Sequence, residues 1–321
     1  MVSANSPRPR AIKPNRRSPL SRSAETVLSS DLPTPAVVLE LLKPITWFPP
    51  MWAFACGAVS SGVGWHGHWG VILVGMILCG PLLCAASQAV NDWFDRHVDA
   101  VNEPGRPIPS GRMPGYWGLG VAILWTLLAL ICAAALGTWV LCAAALGLLL
   151  AWAYSAPPVR LKQNGWWGNL ACAACYEGFA WVTGAAIMAG GTTPSARIIA
   201  IAALYSLGAH GIMTLNDFKS IEGDKRWGVG SLPVRLGAEH AAEVACVAMA
   251  LPQFVVVALL TAWGATHQAV AIGALLGAQL LLMRRLLVDP RGRAPWYNGT
   301  GVSLYVTGML ISAFALKGFA A

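Results

Sequence analysis

The most constraining feature of this 321-residue chain is a series of long apolar runs separated by short polar connections. The runs lie at about 36–62, 69–90, 117–136, 138–155, 166–189, 198–215, 241–263, 268–288 and 300–319. Crossing the hydrocarbon core of a bilayer takes roughly 20 apolar residues, and each run meets or nearly meets that length. Lipid offers no hydrogen bonds to a bare backbone, so spans of this kind become helices. The expected fold is all-α, with nine transmembrane helices around a central cavity that opens to the cytoplasmic side. Residues 36–321 form this domain. Pro44, Pro49, Pro50, Pro81 and Pro252 fall within runs, where bilayer helices absorb proline as kinks. Only 11% of the chain is charged, against roughly a quarter in a soluble domain, which excludes a soluble globule.

The net charge is +8, yet a nucleic-acid partner is excluded, because the bases sit in connections rather than on one soluble face. Twenty of the 22 Lys and Arg fall in the N-terminal segment and in alternate connections, leaving Arg197 and Lys317 on the other side. The positive-inside rule then places the N-terminus in the cytoplasm. Residues 1–35 are basic, rich in Ser and Pro, and read as a disordered cytoplasmic arm in preference to an organellar transit peptide. All eight cysteines lie inside apolar runs and act as small hydrophobes, including the Cys172-x-x-Cys175 pair, which has no further zinc ligands nearby.

Acidic residues are few, so where they gather is informative. After the second run the chain reads N-D-W-F-D-R-H-V-D from Asn91 to Asp99, and after the sixth N-D-F-K-S-I-E-G-D from Asn216 to Asp224. Both are N-D-x6-D, 125 positions apart. On a helix Asp92, Asp95 and Asp99 fall within about 60° of one another. Asp217 and Asp224 likewise share a face, while Glu222 points away. Carboxylates crowded in this way need a cation. Magnesium held by carboxylates and substrate phosphates suits them, with Lys and Arg from neighbouring loops on the free phosphate oxygens. A diphosphate at the mouth of a cavity among apolar helices implies a prenyl tail. The chemistry is ionisation of its allylic C–O bond and capture of the carbocation by a nucleophile.

These residues resemble the UbiA superfamily of intramembrane prenyltransferases. The segments 41–52 (LLKPITWFPPMW), 88–111, 151–158 (AWAYSAPP), 208–224 and 295–302 (PWYNGTGV) resemble its chlorophyll and bacteriochlorophyll synthase branch. The features nearest the purple-bacterial members are C-Y-E-G at 175–178 and the P-W-Y-N-G-T-G stretch. The resemblance implies esterification of the C17 propionate of a chlorophyllide-type macrocycle with a geranylgeranyl or phytyl group. It makes Asp92, Asp95, Asp99, Asp217 and Asp224 Mg²⁺ ligands and catalytic residues, with Asn91 a polar contact to substrate or metal. Lys43, Arg96, Arg106, Arg160 and Lys162 become diphosphate contacts, and Tyr154, Glu177, His210 and Asn216 further substrate contacts. Ser220 stands where many members carry a carboxylate. The implied partners are (bacterio)chlorophyllide, the prenyl diphosphate and membrane lipid, in a photosynthetic inner membrane whose assembly partners the sequence does not name. The competing readings are a sibling prenyltransferase with a quinone-precursor or haem acceptor, and a pigment carrier or transporter with cation sites.

Overall fold

The computed structural model describes residues 32–319. The arm expected at 1–35 lies outside the described residues, apart from its last four. Short helix α1 (Pro35–Leu42) and α2 (Phe48–Ser60) precede α3 (Trp69–Asn102), α4 (Trp117–Leu136), α5 (Thr138–Ser155) and α6 (Gly165–Met188). Then come α7 (Ala196–Trp227), short α8 (Leu232–Leu236), α9 (Ala238–Ala262), α10 (Thr266–Val288) and α11 (Pro290–Lys317). Among the described residues the only strand-like pairing is an isolated bridge between Asn164 and Gly230. Among the described residues eight helices are long and apolar enough to cross a membrane, which makes this a multi-pass membrane protein.

The expected count was nine, and the first run accounts for the difference. A residue before proline is driven out of the α region, and Lys43, ahead of Pro44, adopts the left-handed conformation with φ 49°. Helix α1 therefore stops, a 3₁₀ turn follows (Pro44–Thr46), and α2 restarts over 13 residues. That is about 20 Å of helix, short of the roughly 30 Å hydrocarbon core. The break places Lys43 beside the first aspartate motif.

Both motifs ride on continuations of membrane helices. Helix α3 passes Pro81 through a π-helical stretch, Leu78–Cys84, whose wider turn accommodates the missing N–H, and continues to Asn102. Helix α7 tightens to 3₁₀ over Asp217–Ser220 and then resumes. Helix α7 packs on α9, α9 on α10, α10 on α11, α11 on α2 and α2 on α6, while α3 packs on α4 and α5. The α2–α6 approach depends on glycine: a Cβ on Gly57 would strike the carbonyl of Trp181, and one on Gly184 the carbonyl of Phe54. Around this seam Trp181 stacks on Tyr205, and the Tyr205 hydroxyl is 2.9 Å from Ser312 Oγ. Leu124, Leu127 and Ile131 of α4 remain exposed, as a lipid-facing stripe should be.

Candidate active site

The first motif occupies the last turns of α3, and each of its aspartates meets a cation from elsewhere. Asp92 is 1% exposed. Its Oδ1 accepts from Lys43 Nζ at 2.5 Å and from Arg106 Nη1 at 3.3 Å. Arg106 also bonds Asp99 Oδ2 at 2.8 Å and Glu103 Oε2 at 2.5 Å. Asp95 accepts from Lys162 Nζ, from Arg160 Nη2 at 3.5 Å and from Asn91 Nδ2 at 3.0 Å. Asn91 Nδ2 also reaches Ser155 Oγ at 3.3 Å. The bases come from three connections: 43–47, 103–116 and 156–164. Among the described residues the two non-glycine positions with positive φ are Lys43 (49°) and Arg160 (39°). Such backbone costs roughly 1–3 kcal/mol per residue and tends to collect at functional sites. Burial pulls the Lys162 ammonium below the usual lysine range, while Asp95 pulls it back. At Arg106 burial opposes the charge, but Asp92, Glu103 and Asp99 outweigh it and the pKa rises.

The second motif is assembled from neutral donors. Asp217 accepts from Asn169 Nδ2 at 3.0 Å, and the same amide reaches Thr214 Oγ1 at 3.2 Å. Asp224 accepts from Ser231 Oγ at 2.6 Å. Among the described residues neither aspartate is in an ion pair. Asn216 Oδ1 accepts from Asn298 Nδ2 of α11 at 2.9 Å. Glu222 turns outward to Arg291 at 3.7 Å, as its helical phase predicts. The motifs approach each other where Gly223 lies against Asn102, since a Cβ there would overlap the amide. Asp95 and Asp224 are consequently near enough to repel, with Lys162 attracted to both. Tyr154 packs against Gly168.

Three of the expected substrate contacts lie off this face. Arg96 donates to the carbonyl of Trp93 at 2.7 Å and lies 4.4 Å over its ring, the nearest partners on its own helix turn. His210 stacks on Trp166 with 5.7 Å between centroids, its Nε2 3.3 Å from the Trp166 carbonyl. Glu177, in the π-helical stretch Ala174–Phe179, is 4% exposed, and its Oε2 has no partner among the described residues. Asn169, Ser231, Gln88 and Asn298 were missed. The only sequence signal for Asn169 and Gln88 was an amide set in an apolar run. All eight cysteines are free.

Behind the first motif lies an apolar cleft with about 520 Å³ of space, counting its open mouth. Cys84, Ser87, Gly147, Phe179 and Thr183 line it, with Tyr176, whose hydroxyl accepts from Gln88 Nε2 at 2.9 Å. The cleft begins one helical turn from Asn91, so charged face and apolar slot adjoin.

The family model described as the UbiA prenyltransferase family matches residues 41–306. The chain belongs to this family. Among UbiA relatives, the "Bacteriochlorophyll synthase 33 kDa chain" of Cereibacter sphaeroides is 58% identical over 288 residues, 89% of this chain and 95% of that one. The chloroplastic chlorophyll synthase of Avena sativa is 39% identical, covering 86% and 75%. A solved UbiA homologue from Archaeoglobus fulgidus, bound to DMAPP and Mg²⁺, superposes with TM-score 0.62 at 22% identity, covering 88% of this chain and 98% of that one. That likeness concerns the fold. The protein is an enzyme that transfers prenyl groups.

Proposed function

We propose that this UbiA enzyme is a bacteriochlorophyll synthase that esterifies the C17 propionate of a (bacterio)chlorophyllide with a geranylgeranyl or phytyl group from its diphosphate. The observation that carries the reading is near full-length similarity to a bacteriochlorophyll synthase chain. The paired aspartate motifs and the adjoining apolar cleft supply a place for a diphosphate and its tail.

The residues present fit Mg²⁺. Its preferred ligands are hard oxygens, and among the described residues Asp92 Oδ2 is buried without a partner while Asp217 and Asp224 are in no ion pair. Asp92, Asp95 and Asp99 on one side and Asp217 and Asp224 on the other would hold it. Among the described residues no three such ligands are already gathered for a cation, because bases occupy the first set. When bound, the metal neutralises charge on the departing diphosphate oxygens. Lys43, Arg106, Arg160 and Lys162 bind those oxygens, exchanging carboxylate for phosphate without leaving the site. Asn91 fixes Asp95, and Asn216 the edge of the second motif. The prenyl tail extends along the cleft past Cys84 and Phe179 and is kept from water there. The C1–O bond of the donor breaks with its electron pair going to diphosphate, and a propionate oxygen forms the new C1–O bond. That carboxylate is already ionised near pH 7, so no base has to remove a proton.

The distribution of bases supports a cytoplasmic aspartate face, and the likeness to bacterial bacteriochlorophyll synthases supports the bacterial inner, photosynthetic membrane. Mass spectrometry of products from the purified protein with Mg²⁺, geranylgeranyl or phytyl diphosphate and a panel of acceptors tests the reading. A (bacterio)chlorophyllide ester is expected. Prenyl transfer only to a quinone precursor or to haem, or to no acceptor at all, overturns it.

A further inference from the structure

Helix α7 carries Arg197 in its first turn and Asp217 some 20 residues later, about 30 Å along the axis. Arg197 therefore marks the end of the bundle opposite the aspartates. A second cavity opens there, with about 830 Å³ of space including its mouth. Ser61, Thr193, Ser195 and Arg197 are among its lining residues, and Ala185, Ile198 and Leu316 form apolar wall. The Arg197 guanidinium lies in the corner formed by two edge-to-face rings, 5.4 Å from the Trp263 ring and 4.8 Å from the Phe319 ring. Aromatic faces fix a guanidinium in place but do not cancel its charge. Among the described residues Arg197 is in no ion pair, and the connections at this end, 61–68, 137, 189–195 and 263–265, contain no Asp or Glu. Lys317, the other base on this side, belongs to the last turn of α11, one residue past Leu316 of the cavity wall.

Two bases stand at this end against the positive-inside trend, and among the described residues no Asp or Glu side chain there answers them, so an anion from the surroundings suits the site. Trp65, Trp69 and Trp263 place this end at a membrane–water boundary, where the available anion with an apolar tail is a lipid. We propose that this cavity binds an anionic phospholipid, its phosphate on the planar Arg197 fork and an acyl chain against Ile198 and Leu316. The positive charge of Lys317 selects against headgroups that carry an ammonium.

The test uses the full-length protein purified in detergent. Native mass spectrometry reads retained lipid, and thermal unfolding reads the response to added phosphatidylglycerol, phosphatidylcholine or inorganic phosphate. Wild type is expected to retain a phosphatidylglycerol-type lipid and to be stabilised by it alone. Arg197→Gln and Lys317→Gln should each weaken retention about tenfold, with prenyl transfer within twofold of wild type as the control for folding. Ala189→Leu, which fills the cavity and leaves the aromatic contacts of Arg197 intact, should do the same and stands in if Arg197→Gln does not fold. Equal stabilisation by phosphatidylcholine, stabilisation by inorganic phosphate alone, or undiminished retention in the variants overturns the proposal.

Discussion

Asp92, Asp95 and Asp99 each rest on a lysine or arginine brought from another connection, whereas Asp217 and Asp224 rest on an amide and a hydroxyl. The two motifs share the N-D-x6-D spacing, so the contrast comes from what the fold sets against them. The first set carries its own counter-charge, and each base there can be handed to a phosphate oxygen. The second set is left under-neutralised, and it is the half that gains most from a cation. On the proposed function, a Mg²⁺-diphosphate complex would complete both halves at once.

The largest effects should separate the halves by stability rather than by activity. Asp92→Asn and Asp217→Asn are each expected to lower prenyl transfer about 10²–10³-fold, the scale of losing one charge-stabilising group. Asp92→Asn strands Lys43 and part of Arg106, so its melting temperature should fall. Asp217→Asn removes an uncompensated charge and should melt no lower than wild type in Mg²⁺-free buffer. Equal destabilisation of both, read by thermal unfolding, would erase the distinction.

Asn169→Ala should cost about 10–100-fold in Mg²⁺ affinity, because Asn169 only orients Asp217. The Mg²⁺ concentration for half-maximal rate measures this. A smaller effect concerns pH. Burial lowers the Lys162 pKa, so its charge is lost, and diphosphate binding weakens, as pH rises through a value below that of an exposed lysine. Lys162→Arg should hold its charge to higher pH and flatten the alkaline limb of the KM profile for the prenyl diphosphate. The smallest effect is expected at Arg96, already engaged with Trp93: Arg96→Gln should stay within about threefold of wild type in kcat/KM.

Hydropathy was enough to read the helices, since lipid forces apolar runs into helix, and the ends of α4 and α5 match the expected 117–136 and 138–155. It misread the first run because a single Lys-Pro step overrides twenty apolar neighbours. The aspartates were legible because charge is rare in this chain and the spacing repeats. Their partners were only partly so. Arg96 lies in the motif yet folds back on Trp93, while Asn169, 48 positions before Asp217, carries no local mark of its role. Long-range partnership of that kind follows from helix packing, which no spacing within one segment encodes.

The most direct test of the central claim is the Mg²⁺ dependence of diphosphate release from geranylgeranyl diphosphate in the presence of bacteriochlorophyllide, compared between wild type and Asp217→Asn. The account predicts release that requires Mg²⁺ and stays coupled to ester formation, with the variant needing at least tenfold more metal while the bases of the first motif still bind the diphosphate. Release without Mg²⁺, or an unchanged metal requirement in Asp217→Asn, would contradict it.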